Sequence, residues 1–220
     1  MTILSDENTL TVAEVAVAAD VSHRYVGQVI EEHVMPDELF MASGKRRFLP
    51  SAAAFVALNR RASGILTREA RHDAFEKLLR RHHDEFIDPT GWRGWHLLLR
   101  DETVELDMIA LRVAAVFEEV AARLDKMQEA KAEVVSDPEI LSGTPVIAGT
   151  RVPAYDVAAS VDAGTPLDRL CKGFGIDERQ IGLAHIWAKA NPPMGRPKRA
   201  LAPPPSDAIV ERVPRKRRVA

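Results

Sequence analysis

Apolar positions change period several times along the chain, and each change marks an element. In Thr11-Val-Ala-Glu14 the threonine oxygen can accept an orphan N–H while Glu14 reaches back, and Val12, Val15 and Ala16 follow on one face, which predicts a short capped helix. Asp20-Val21-Ser22 interrupts it, and Ser22 can cap a second helix striped by Val26, Val29 and Ile30, with His23, Arg24 and Gln28 pointing elsewhere. Two short helices around a tight turn make a helix-turn-helix pattern. Past Pro36, Leu39-Phe40-Met41 and Arg46-Arg47-Phe48-Leu49 flank Ala-Ser-Gly-Lys, the pattern of a β-hairpin with Gly44 in its turn. Pro50-Ser51 then starts an alanine-rich helix that runs to about Arg61 and ends at Gly64.

Thr67 to Phe86 reads as a charged amphipathic helix, followed by a break from Pro89 to Gly94. Trp95 to Leu99 and Thr103 to Asp107 read as two strands of a second hairpin around Arg100-Asp-Glu, with Trp92 and Trp95 as core or dimer anchors. The following helix carries Ile109, Val113, Val116, Val120, Leu124 and Met127 at steps of three and four, an apolar stripe expected to meet a second copy of the chain. From Val134 glycines and prolines punctuate the sequence. Val146-Ile147 and Arg151-Val152 are short extended pieces around Ala148-Gly149, Tyr155 to Ala163 is a helix ended by Gly164, and Thr165-Pro166 starts another. Asp177 and Gln180 form a capping box for a last helix stopped by Asn191-Pro-Pro. Beyond Pro193 large apolar residues are too sparse for a core, so that segment is expected to be disordered when free. The expected architecture is mainly α with small β-hairpins, in four parts: residues 1–64, 65–133, 134–193 and 194–220.

Composition narrows the function. The chain has 220 residues, 46% hydrophobic and 28% charged, enough for a sizeable core. No stretch approaches the roughly 20 apolar residues of a membrane span, and MTILSDENTL lacks a signal-peptide pattern, so a cytoplasmic location is expected. The net charge of -2 conceals an asymmetry: residues 194–220 carry eight Lys/Arg against two acids, leaving an excess of eight negative charges in the remainder. An acidic body with a basic tail argues for local contacts with anionic partners rather than a uniformly cationic surface. Cys171 has no partner for an internal disulfide and reads as a small apolar residue. His72, His82, His83, His96 and His185 do not make a metal set, because His82 and His83 are adjacent and point to different helix faces without a third ligand. With no nucleophile and base pair either, an enzyme is not expected, nor a cofactor.

Two resemblances carry the functional reading. Asp137-Pro-Glu-Ile-Leu-Ser-Gly-Thr-Pro-Val-Ile-Ala-Gly-Thr-Arg-Val-Pro153, with Ala163 to Asp168 and Ile176 to Ile181, resembles domain-of-unknown-function family 433, the VapB-like antitoxin domain. Gly143 and Gly149 supply backbone freedom for a tight fold-back, while Pro145 and Pro153 hold their neighbours extended. Thr150 completes this structural motif with Arg151, which can be read as a phosphate-binding or catalytic group or as a side chain tying the loop down by hydrogen bonds; the second is favoured. The N-terminal part is similar to the winged helix-turn-helix of mercury-resistance (MerR-type) regulators. That resemblance implies DNA contacts from His23, Arg24, Tyr25 and Gln28 on the second helix and from Lys45, Arg46 and Arg47 on the wing; the alternative is a solvated polar face.

In the tail, Ile209, Val210 and Val213 lie beside Arg212, Arg215, Lys216, Arg217 and Arg218. An apolar anchor next to a cationic cluster fits a groove beside carboxylates, and the antitoxin resemblance implies a PIN-like ribonuclease toxin as that partner. The competing reading of the tail is a nonspecific nucleic-acid arm or a targeting signal. The expected function is therefore an antitoxin, homodimeric, that neutralises the toxin and represses its own operon at operator DNA. The alternative is a stand-alone winged-helix regulator without a toxin.

Overall fold

The computed structural model describes residues 8–41, 46–106 and 109–193. These contain ten α-helices and three two-stranded antiparallel sheets, so the chain is mainly helical with small strand pairs. Local signals set where most elements begin. Thr11 Oγ1 accepts from the Glu14 N–H and Glu14 Oε2 accepts from the Thr11 N–H at 2.7 Å, closing the capping box of α1 (Val12–Ala19). Asp20 turns the chain in the left-handed region, φ 55°, and Ser22 Oγ then caps α2 (His23–Glu31) by accepting from the Tyr25 N–H. The expected hairpin forms from β1 (Phe40–Met41) and β2 (Arg47–Phe48), with Phe40 opposite Phe48 and Leu10 bridged to Phe48 on the other side. The turn with Gly44 lies outside the described residues.

The third helix, α3 (Pro50–Ala62), is buried on nearly every face, which a helix tolerates only inside a core. Phe55 at its centre meets three rings edge-on: Phe75 of α4 (Arg68–Arg81) at 5.4 Å, Phe86 of α5 (His83–Ile87) at 5.5 Å and Phe117 of α7 (Ala114–Glu133) at 5.9 Å. Trp95 of α6 (Trp95–Leu98) closes the cluster, 5.1 Å from Phe117. Residues from Leu10 to Met127 thus share one apolar core, and the expected boundary at 64/65 falls within it.

Three expectations are corrected here. Trp95 to Leu99 is a helical turn, not a strand: Trp95 and Leu99 both point inward at helical spacing while His96 and Leu97 face out. A five-residue apolar run cannot be assigned by period alone. The second hairpin pairs β3 (Thr103–Leu106) with β4 (Ile109–Arg112) instead, so Ile109 is a strand residue, exposed, and not part of the α7 stripe. The remaining stripe positions, Val113, Val116, Val120, Leu124 and Met127, are at most 4% exposed within a single chain, so they cannot form a contact between copies. Their partners are the chain's own helices α1, α3 and α6, and a later helix, α10 (Glu178–Ala190).

From Val134 a smaller core gathers Val134, Ile147, Val157, Leu170, Ile176 and Ile181. It is framed by β5 (Val134–Val135) paired with β6 (Val146–Ile147), then α8 (Ala154–Asp162), α9 (Leu167–Phe174) and α10. The capping box of α10 forms, with Asp177 Oδ1 accepting from the Gln180 N–H at 2.7 Å. Among the described residues no helix is long and apolar enough to cross a membrane.

Phe55→Ala removes the ring around which α3, α4, α5 and α7 meet, and is expected to cost about 3 to 5 kcal/mol. Urea unfolding followed by far-ultraviolet circular dichroism and by tryptophan fluorescence tests this. Both signals move together to lower urea if the core is shared; a separate transition for residues 8–64 would contradict it.

Candidate nucleic-acid interface

On α2, Arg24 and Gln28 stand one turn apart and are exposed, and His23 is exposed in the first turn. The helix is electrically polar along its length: His23 and Arg24 follow the capping Ser22, whereas Glu31 and Glu32 close the other end. A polyanion is therefore favoured at the N-terminal half, where the helix dipole adds in the same direction. Gln28 Nε2 donates to Glu32 Oε1 at 2.8 Å, an exposed bond that can be exchanged for another acceptor at little cost. Arg46 is exposed just before β2 and Arg47 lies half-buried within it, opposite Met41. Lys45 lies outside the described residues, as do Ile209, Val210, Arg212, Val213, Arg215, Lys216, Arg217 and Arg218.

Tyr25, grouped with the DNA contacts on sequence, faces inward. Its hydroxyl accepts from Asn59 Nδ2 at 2.9 Å and its half-buried ring lies under the Arg60 guanidinium at 5.7 Å. Asn59 Oδ1 in turn accepts from Arg71 Nη1 at 2.6 Å, and Arg71 Nε donates to the Thr67 carbonyl at 3.3 Å. Asn59 and Arg71 are both buried, so their hydrogen bonds are demanded by the desolvation of the groups that make them. This chain of bonds fixes α2 to α3 and α4. No local pattern reveals it, because its members are 34 and 12 residues apart.

The glycine and proline motif folds as a tight clasp after β5. Gly143 and Gly149 sit at φ 81° and 73°, which a side chain would strain. The Ile147 N–H donates to the Val152 carbonyl, Thr150 Oγ1 donates to the Ile147 carbonyl at 2.9 Å and accepts from the Val152 N–H, and the Ala154 N–H reaches the Pro145 carbonyl. Arg151 does not tie the loop down as expected: it is exposed and makes no hydrogen bond or ion pair among the described residues, since backbone groups and Thr150 already hold the turn. Cys171 is half-buried against the smaller core. His82 packs on Phe86 with Nε2 3.1 Å from Glu102, His185 meets Asp162 at 2.8 Å, and no group of three His, Cys, Asp or Glu is placed to hold a metal among the described residues.

Residues 134–188 match the family described as a protein of unknown function, DUF433. Over 214 residues the chain is 35% identical to the uncharacterized protein y4eO of Sinorhizobium fredii, covering 95% of this chain and 94% of that protein. A crystal structure of Rv2018 from Mycobacterium tuberculosis aligns over 79% of this chain and 95% of its own, at 16% identity and a TM-score of 0.36.

Asn59→Ala leaves the Arg71 guanidinium short of an acceptor and the Tyr25 hydroxyl without its donor, an expected loss of about 2 to 3 kcal/mol. In a double-mutant cycle with Tyr25→Phe, measured by thermal denaturation, the two losses are expected to sum to more than the double variant shows. Strict additivity would mean that the network does not couple α2 to α3.

Proposed function

This chain belongs to the same family as the uncharacterized Sinorhizobium fredii protein, with a DUF433 domain in its C-terminal half, and from that premise we propose that it is a DNA-binding antitoxin. The observation that carries the DNA-binding part is the exposure of Arg24 and Gln28, one turn apart on a helix that Tyr25 ties to α3, together with Arg46 and Arg47 on the first hairpin. Arg is suited to the guanine edge and Gln to the adenine edge in the major groove, while hairpin arginines suit backbone phosphate. Two copies read two half-sites about 34 to 36 Å apart, because one short helix buries too little surface for tight specific binding. Their mutual contact lies elsewhere than the buried α7 stripe.

The antitoxin part is supported by the likeness of residues 137–153 to the VapB-like domain and by the composition of residues 194–220. In this reading Ile209, Val210 and Val213 fill an apolar groove of a PIN-like ribonuclease. An arginine among Arg212, Arg215, Arg217 and Arg218 then satisfies the carboxylates that hold the nuclease's divalent metal, with Lys216 adding charge, and the metal is excluded.

Arg24→Ala with Gln28→Ala is expected to reduce the preference for operator over random DNA, each base contact being worth about 1 to 3 kcal/mol. Arg46→Ala with Arg47→Ala weakens binding to every sequence and lowers the salt-dependence slope by about two. A quadruple variant that shifts operator DNA as well as the parent would end the DNA-binding assignment. For the tail, RNA cleavage by any small nuclease that a neighbouring gene encodes is titrated with the full chain and with a chain ending at residue 193. Only the full chain is expected to silence it. Equal inhibition moves the neutralising surface into the DUF433 domain, and failure to bind any nuclease while operator binding persists leaves a stand-alone regulator.

A further inference from the structure

A groove of about 530 Å³ opens where the helix-turn-helix meets the DUF433 domain. Its apolar lining is Ala16, Val17, Val21 and Ile186, contributed by α1, the turn after it and α10. Its basic lining is Arg123 and Lys126 of α7, Lys189 of α10, and two histidines, His23 and His185. The one carboxylate in the lining is Asp20, 3.7 Å from Arg123, which also meets Glu119 at 3.6 Å; Asp162 bonds His185 at 2.8 Å. Lys126 and Lys189 are exposed and form no ion pair among the described residues. The first turn of α2, with Ser22 and His23, forms one wall.

We propose that this groove binds a small organic anion with an apolar body. The volume lies in the range of small-molecule sites, and the combination of an apolar lining with a few charged groups is what such ligands require. Three permanent cations face one lining carboxylate that is already shared with Arg123, so an incoming carboxylate or sulfonate meets uncompensated positive charge at Lys126 and Lys189. A phosphodiester backbone would use the lysines and leave the apolar side chains unfilled, which favours the amphipathic ligand over nucleic acid. None of this depends on α2 reading DNA.

The test uses the full chain and 8-anilinonaphthalene-1-sulfonate, an amphipathic anion, titrated by fluorescence and mapped by amide chemical shifts. Saturable one-site binding is expected, with shifts centred on Val21, His23 and Ile186. Lys126→Glu with Lys189→Glu is expected to weaken it at least tenfold without moving the thermal midpoint, and Lys126→Ala with Lys189→Ala to weaken it less. Unchanged affinity in the glutamate variant, or shifts confined to other regions, overturns the proposal. So does dye binding that is insensitive to the lysines while loss of the same lysines weakens DNA binding, which would make the groove a path for the phosphate backbone. Absence of DNA binding with dye binding intact sinks the DNA reading alone.

Discussion

Phe55 sits where edge-on contacts from Phe75, Phe86 and Phe117 converge, and the rest of the N-terminal fold is arranged around that meeting. Aromatic rings prefer such offset and perpendicular contacts, and pairs of this kind contribute about 0.5 to 1.5 kcal/mol beyond their buried area. Because the four rings come from α3, α4, α5 and α7, none of these helices can bury its apolar side without the others. Ser51 strengthens the join by donating to the Phe86 carbonyl at 2.6 Å inside the core. Residues 8–64 alone would leave Phe55 uncovered, so residues 65–133 supply the other half of the same core.

The second constraint is at the C-terminal end of α7. The Glu133 carbonyl accepts from the Ala148 N–H at 2.8 Å, while its carboxylate takes Arg179 at 3.2 Å and Gln180 Nε2 at 2.9 Å. One residue thus ends the long helix, receives the glycine clasp and holds the first turn of α10. Gln180 serves twice, closing its own capping box with Asp177 and reaching α7. Lys131, in the last turn of α7, pairs with Glu14 of the first capping box at 2.6 Å, so α7 links the start of α1 to the start of α10. The groove beside α2 is a product of this arrangement, since α7 and α10 supply its cations and α1 much of its apolar lining.

Elements governed by neighbours in sequence were legible in advance. Thr11 with Glu14, Ser22, and Asp177 with Gln180 mark helix starts because a cap is satisfied within three residues, and Pro50 marks one because its fixed φ and missing N–H suit the first helical position. Gly149 and Gly164 mark turns because their φ values, 73° and 76°, are open to glycine at no steric cost. The exposed faces of α2 and of the first hairpin follow from the same short-range logic, which is why Arg24, Gln28 and Arg46 could be named.

What the sequence could not decide is which buried surface meets which. The α7 stripe has the same spacing whether it packs on a second copy or on α1, α3, α6 and α10; only the folded chain shows its positions taken up internally. Trp95 to Leu99 is apolar enough for a strand or a helix, and the inward pull of Trp95 and Leu99 together chose the helix. Tyr25 has the composition of a DNA contact and became an anchor because Asn59, far along the chain, offered its hydroxyl a donor. Arg151 was expected to brace a loop that backbone hydrogen bonds already hold. Period and capping are properties of a segment and survive in one dimension, whereas a partner is a property of distance in space, and the chain acquires it only by folding.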